Sequence, residues 1–359
     1  MVGDQAPAEQ PPEDNGSGTS VLITGGGGFL GSAIARRLAE QGDRVCSFSR
    51  RFHPQLRPIG IEQIQGDLSD ERALLRACTG KQVVFHTAAR AGVWGCFEDF
   101  FRTNVVGTRN VIAACKAAGV RRLVHTSSPS VIFDGTDMEG VDESAPYPHR
   151  FHSAYPRTKA MAEKEVVAAA GEGLQTIILR PHLIWGPGDP HFAPRIITRA
   201  KRLRRVGSGD NRVDTIYIDN AADAHLLAAD RLASRPALSG RIYFISQDDP
   251  IPLWEMVDAI LASAGLPPVS GSVSPATAWL AGAVLELAYK TLRLKGEPPM
   301  TRFLARELAT AHWFNIRAAR TDLGYRPRVS TAEGLRRLAA WLRAETQLAE
   351  RPDEFEGRQ

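Results

Sequence analysis

The run Thr24-Gly25-Gly26-Gly27-Gly28-Phe29-Leu30-Gly31, between a short apolar stretch at 21–23 and an amphipathic one at 29–39, restricts this chain more than any other feature. Glycines in series disfavour regular structure, because each loses more backbone freedom on ordering than other residues do. Between a strand and a helix they have a use. Gly25 permits a sharp turn, Gly28 lets the backbone approach a pyrophosphate, and Gly31 lets the helix pack closely on the strand. Phe29 and Leu30 open that helix beside the bound group, and Leu30, Ile34 and Leu38 form its apolar side. Its free N–H groups and positive dipole end then face the phosphates.

The same rhythm continues. Strands are expected at 45–48, 62–65, 83–85, 122–126 and 176–179, with helices at 70–78, 97–118 and 154–170. Such alternation implies a parallel sheet covered on both faces. The expected fold is therefore α/β, a Rossmann-like doubly wound parallel sheet with a smaller C-terminal substrate-binding region. Residues 1–18 read as a disordered tail, 19–181 as the NAD(P)-binding domain, 182–347 as mainly substrate-binding, and 348–359 as a frayed tail. The second region is expected to carry short strands at 215–218 and 242–245.

Composition excludes several function classes. There are 44 basic and 40 acidic residues, for a net charge of +4, too even a balance to argue for nucleic acid. Cys46, Cys78, Cys96 and Cys115 have no paired spacing, so neither a metal nor a disulfide frame is expected, and each reads as a small buried thiol. No stretch reaches the roughly 18 apolar residues of a membrane span. The expected location is cytoplasmic. Residues 276–294, apolar with a basic end, form either a lid over a long apolar substrate or a helix at a membrane surface; a plain core or dimer helix is the alternative.

The end of the second strand bears on the cofactor. An NAD site places an acid there for the ribose 2′-hydroxyl, whereas Arg suits a 2′-phosphate. This chain has Ser49-Arg50-Arg51, which favours NADP(H), with NAD(H) as the alternative. Asp67 and Leu68, after the third strand, are expected beside the adenine, and Ala88 and Ala89 are small enough for close backbone approach. His86, ending the fourth strand, is read as structural.

Tyr155 and Lys159 lie four residues apart, one above the other on a helix face. A neighbouring ammonium is expected to lower the phenol's pKa and so equip it for proton transfer. Ser128, after the fifth strand, is placed to hydrogen-bond a substrate oxygen, and Lys159 also to bond the nicotinamide ribose. The chemistry implied is hydride transfer at a carbinol carbon with Tyr155 as acid/base.

These motifs resemble the extended short-chain dehydrogenase/reductases: the glycine loop, Asn104-Val105-Val106-Gly107-Thr108, the serines at 127–130, Tyr-x-x-x-Lys and Arg180-Pro181. Within that superfamily the chain is similar to the 3β-hydroxysteroid dehydrogenase group, which includes sterol-4-carboxylate 3-dehydrogenases and bacterial 2-alkyl-3-oxoalkanoate reductases. The signs are His125-Thr126-Ser127-Ser128, Val131-Ile132-Phe133, Tyr155-Pro156 and Ala162-Glu163-Lys164; 183–189 and 299–303 look most like the bacterial reductases. The resemblance spans about residues 20–340. It implies that Ser128, Tyr155 and Lys159 are catalytic, and that Asn104 and Pro181 line the nicotinamide. Two positions depart from relatives: Ser49 replaces the acid of NAD-using steroid enzymes, and Ile132-Phe133 replaces the Tyr-Gly of sugar-nucleotide enzymes.

The rival reading is a sugar-nucleotide epimerase or dehydratase. Those enzymes place an Arg where this chain has Val213, and Arg212 would point elsewhere along a strand. The basic run 199–205 reads as a solvated helix face. The expected partner is thus a hydrophobic small molecule, sterol-like or a 2-alkyl-3-oxoalkanoate, handled by a homodimer. A non-catalytic NADP-binding sensor is a weaker alternative, because Ser128, Tyr155 and Lys159 are all present.

Overall fold

The computed structural model describes residues 18–171 and 173–349. The expectations for 1–17 and 350–359 lie outside the described residues. The main sheet has seven strands: β1 (Ser20–Thr24), β2 (Arg44–Ser49), β3 (Glu62–Gln65), β4 (Val83–His86), β5 (Arg122–Thr126), β6 (Gln175–Pro181) and β7 (Arg241–Ile245). All pairs are parallel, in the order β7-β6-β5-β4-β1-β2-β3. The order reverses between β1 and β4, which opens a crevice at the carboxyl ends of the strands.

Alternation along each strand divides the core into two layers. Ile23, Val124 and Ile177 face one side, together with Ile34 and Leu226 from helices; Leu22, Leu123 and Ile178 face the other, together with Leu74 and Val111. Every one of these is fully buried or nearly so, worth roughly 1.5–3 kcal/mol per large aliphatic side chain. The covering helices are α1 (Phe29–Glu40), α2 (Glu71–Cys78), α3 (Gly107–Ala117) and α4 (Ala154–Ala169). Further along come α5 (Phe192–Arg199), α6 (Ile218–Ser234), α7 (Leu253–Ser263), α8 (Pro275–Thr291), α9 (Arg302–Ala309) and α10 (Thr331–Ala349).

Four details differ from the sequence reading. The helix expected over 97–118 is interrupted: Phe97–Phe100 is α-helical, Phe101–Val106 takes wider π turns, and α3 follows. Second, the sheet does not stop at 181. The strand expected at 242–245 is β7, an edge strand paired with β6, and α6 packs against the sheet beside α1, joined by the Arg37–Asp223 ion pair at 2.9 Å. Conversely, Met138–Val141 from the first half enters a four-stranded sheet with Arg212–Val213, Ile251–Pro252 and His312–Phe314. Third, of the strand expected at 215–218 only Ile216–Tyr217 is extended, and Ile218 already begins α6. Fourth, Cys46, Cys78 and Cys115 are buried but Cys96 is exposed.

Candidate active site

The glycine loop forms a cradle that side chains would fill. Gly25 has φ +76°, and a Cβ there would lie 2.9 Å from the backbone of Ala88. A Cβ on Gly31 would lie 2.2 Å from the Gly25 carbonyl oxygen, so only glycine allows α1 to start this close to β1. Gly28 precedes α1, whose first turn carries Phe29 and buried Leu30. The Ala88 contact also explains the small residues after β4; Ala89 beyond it is exposed. His86 is structural: Thr24 Oγ1 lies 2.7 Å from its Nδ1 and Thr108 Oγ1 2.9 Å from its Nε2, and burial holds it near a pKa of about 3.

Ser49 ends β2, half-buried, with Arg50 and Arg51 exposed beside it. Asp67 is exposed; its Oδ1 accepts from the Ser69 backbone N–H (2.9 Å) and hydroxyl (2.7 Å), which pulls its pKa down. Leu68 is buried against the space that a Cβ on Gly107 would need. These residues fit a nicotinamide dinucleotide: an anion-binding helix start, a cradle without Cβ atoms and two exposed arginines at the end of β2. His53, which the sequence reading passed over, leans on the loop; a Cβ on Gly27 would collide with its ring.

Asn104 is buried and its side chain is held by protein groups. Its Oδ1 accepts from Arg90 N (2.7 Å), and its Nδ2 donates to Arg90 O and Thr158 Oγ1 (both 3.1 Å). The amide thus ties the loop after β4 to the helix that carries Tyr155 and Lys159. The π turns carry Asn104 into this position, as such turns often do at functional sites.

Tyr155 and Lys159 rise from the first turns of α4, and Ser128 follows β5 as the N-cap of a short turn at Pro129–Ile132. The Ser128 hydroxyl lies 3.0 Å from that of Ser130, and its influence on the phenol is to draw the pKa of Tyr155 down. Lys159, almost fully buried, donates to the Thr126 carbonyl at 2.6 Å. Here one expectation is corrected. Tyr155 is not depressed by Lys159: burial pushes its pKa up to about 12, Ser128 draws it down, and the charge of Glu307 pushes it up. The ammonium is directed at the β5 carbonyl, and burial lowers its own pKa to about 8, with Glu163 opposing. Tyr155 therefore holds its proton at neutral pH, the form a carbonyl reduction uses. Pro181, buried at the end of β6, borders the same crevice.

A cavity of about 390 Å³ opens beside Tyr155, with Trp94, Phe100, His152, Ala154, Lys290 and Phe303 in its wall. The Phe100 ring stands edge-on to Tyr155, with centroids 6.5 Å apart. The α8 helix closes one side. Its Gly282 abuts the Thr301–Arg302 backbone, and its buried Glu286 accepts from Arg302 N and Nε, both at 2.8 Å. Glu307, half-buried on α9, was also missed. Burial raises its carboxyl to about 8, and no sequence pattern marks it. Val213 is buried, while Arg212 is exposed and reaches the Pro250 carbonyl at 3.3 Å, as its place on the strand implied.

Residues 22–273 match the model of the 3-beta hydroxysteroid dehydrogenase/isomerase family. The chain belongs to that family. It is 50% identical over 324 residues to a 2-alkyl-3-oxoalkanoate reductase of Stenotrophomonas maltophilia, covering 89% of this chain and 98% of the relative. It is 37% identical to the decarboxylating sterol-4-alpha-carboxylate 3-dehydrogenase erg26 of Schizosaccharomyces pombe, covering 91% and 98%. Among solved structures, MoeE5 in complex with UDP-glucose and NAD superposes with a TM-score of 0.70 at 27% identity, covering 91% of this chain and 99% of that one. This 3β-hydroxysteroid dehydrogenase family member is an NAD(P)-dependent oxidoreductase acting on CH–OH and keto groups. When bound, the nicotinamide supplies or accepts the hydride. Ser128 after β5 and the Tyr155–Lys159 pair on α4 stand at the carboxyl ends of the strands, the chemical types that an orienting hydroxyl, a proton-carrying phenol and a buried ammonium would require.

Proposed function

We propose that this enzyme uses NADPH to reduce the ketone of a 2-alkyl-3-oxoalkanoate. The observation that carries the substrate class is the 50% identity to a reductase of that name along almost its whole length. The chemistry is consistent with the more distant relative too. In a 2-alkyl-3-oxoalkanoate and in a sterol-4-carboxylate oxidised at C3, the carboxylate sits on the carbon next to the ketone. Such β-oxo acids lose CO₂ readily because the ketone accepts the electrons; hydride addition to the carbonyl removes that sink and preserves the acid. Lys290, in the cavity wall, supplies a cation for the carboxylate, and the apolar wall suits the alkyl chains. Ser128, Tyr155 and Lys159 act on the 3-oxygen. Ser49, Arg50 and Arg51 support the choice of NADPH over NADH, since no carboxylate stands there to repel a 2′-phosphate.

The outer face of α8 supports peripheral contact with a lipid surface. Trp279, Leu280, Val284 and Leu287 on it, and Leu292 and Leu294 just past it, are 38–68% exposed, with Lys290, Arg293 and Lys295 alongside. A patch of this kind is unusual on a monomer. Among the described residues, no helix is long and apolar enough to cross a membrane. The deciding assay follows NADPH oxidation with 2-alkyl-3-oxo acids, 3-ketosteroids and UDP-sugars, with mass spectrometry of the product. Fastest turnover on the oxo acid with the carboxylate retained is expected; preference for a UDP-sugar or a ketosteroid would overturn the reading.

A further inference from the structure

Glu163 follows Lys159 by one helical turn on α4 and is fully buried. Its carboxylate is held by Arg180, with Nη2 to Oε1 at 2.5 Å and Nε to Oε2 at 3.1 Å, and by the Tyr147 hydroxyl at 2.6 Å. Arg180 is 2% exposed and lies over the Phe244 ring, 5.1 Å from its centroid. It stands directly before Pro181 on β6, the strand paired with the one whose Thr126 carbonyl receives Lys159. So one buried ion pair joins the helix of the catalytic pair to the strand at the crevice wall.

We propose that the Glu163–Arg180–Tyr147 cluster is a positioning device for Lys159, holding its ammonium charged and aimed into the crevice. This rests on the oxidoreductase reading of the site, not on the choice of substrate. A buried ion pair is a weak source of stability, since replacing both partners with apolar groups is often neutral. Its place next to Lys159 is what requires explanation. The titratable groups that share the surroundings of that ammonium are Glu163 from α4, His86 from β4 and His125 from β5. Burial drives the pKa of both histidines down, so at neutral pH they add no charge. Glu163 is the anion that opposes the desolvation of Lys159. With Lys159 at about 8, the folded value is depressed, so charge is present below that pH and lost above it.

The test is the pH profile of kcat/KM for NADPH-dependent ketone reduction. All enzymes carry Glu307→Gln, which removes the other group near 8 that faces Tyr155. The alkaline limb is expected near Lys159's own value. In Glu163→Gln it moves about one unit lower, as the loss of a close opposite charge does, giving roughly twofold loss at pH 7, fivefold at pH 8 and almost none at pH 6. Tyr147→Phe, which leaves the ion pair in place and frees the carboxylate of a hydrogen bond, moves the limb upward by a few tenths of a unit. Glu163→Met with Arg180→Met restores the melting temperature but not the limb, should the single variant fold poorly. A limb that stays fixed in Tyr147→Phe and in whichever Glu163 variant folds, with any loss equal at every pH, would assign the cluster to packing alone.

Discussion

Gly282→Ala tests how α8 is seated over the cavity. A Cβ at this position would lie 2.6 Å from the Thr301 carbonyl carbon and 2.7 Å from Arg302 N, both backbone atoms that cannot rotate aside. Ordinary contact begins near 3.4 Å, so the helix must move away from α9 by about 0.8 Å. The movement lengthens the contacts of Glu286 to Arg302 N and Nε, now 2.8 Å each. Overpacking of this kind costs about 1–3 kcal/mol. For a chain of this size, at about 2.1 cal/mol/K of unfolding entropy per residue, that lowers Tm by roughly 1–4 °C. Because Lys290 and Glu286 on α8 line the cavity, KM for long-chain substrate should rise severalfold while kcat for a short ketone stays near wild type. Differential scanning fluorimetry and steady-state kinetics on both substrates read the two effects. A Tm within 1 °C of wild type together with unchanged KM would refute the seating argument.

Tyr155→Phe removes the proposed proton donor and leaves the ring packed on Phe100; kcat should fall about 10²- to 10⁴-fold with cofactor affinity by fluorescence titration nearly unchanged. Ser49→Asp introduces a carboxylate beside the expected 2′-phosphate. At about 2 kcal/mol for a half-exposed like-charge pair, NADPH affinity should drop roughly 30-fold while NADH affinity holds or rises, and an equal loss for both would count against the assignment. Leu280→Glu with Leu287→Glu, at positions 60% and 63% exposed, should abolish co-sedimentation with anionic vesicles and leave Tm unchanged; a shift from dimer to monomer with no change in vesicle binding would identify the face as a contact between copies.

The readable parts of the site were those set by local chemistry. The glycine loop, the Tyr155–Lys159 spacing and Ser128 after β5 each depend on residue type and short separations. Glu307 and the Arg180–Glu163 pair escaped because they act across separations of 152 and 17 residues, and a carboxylate on an amphipathic helix looks like any solvated one. The bonds of Asn104 to Arg90 and Thr158, and the π turns that carry it, had no signal in the sequence because they depend on how α4 docks. The expected depression of Tyr155 failed for a related reason: spacing puts an ammonium nearby, but burial and the Thr126 carbonyl decide where it points.

From order and residue type alone, this chain's sequence determines a parallel sheet with a dinucleotide loop and a Tyr155–Lys159 pair on one helix face, because each follows from backbone preferences and pattern within a few turns or strands. Only the tertiary structure decides that β7 completes the sheet, that Tyr155 stays protonated, and that α8 closes the cavity beside it. Those outcomes depend on desolvation and on contacts between distant segments, which exist only after the chain has folded.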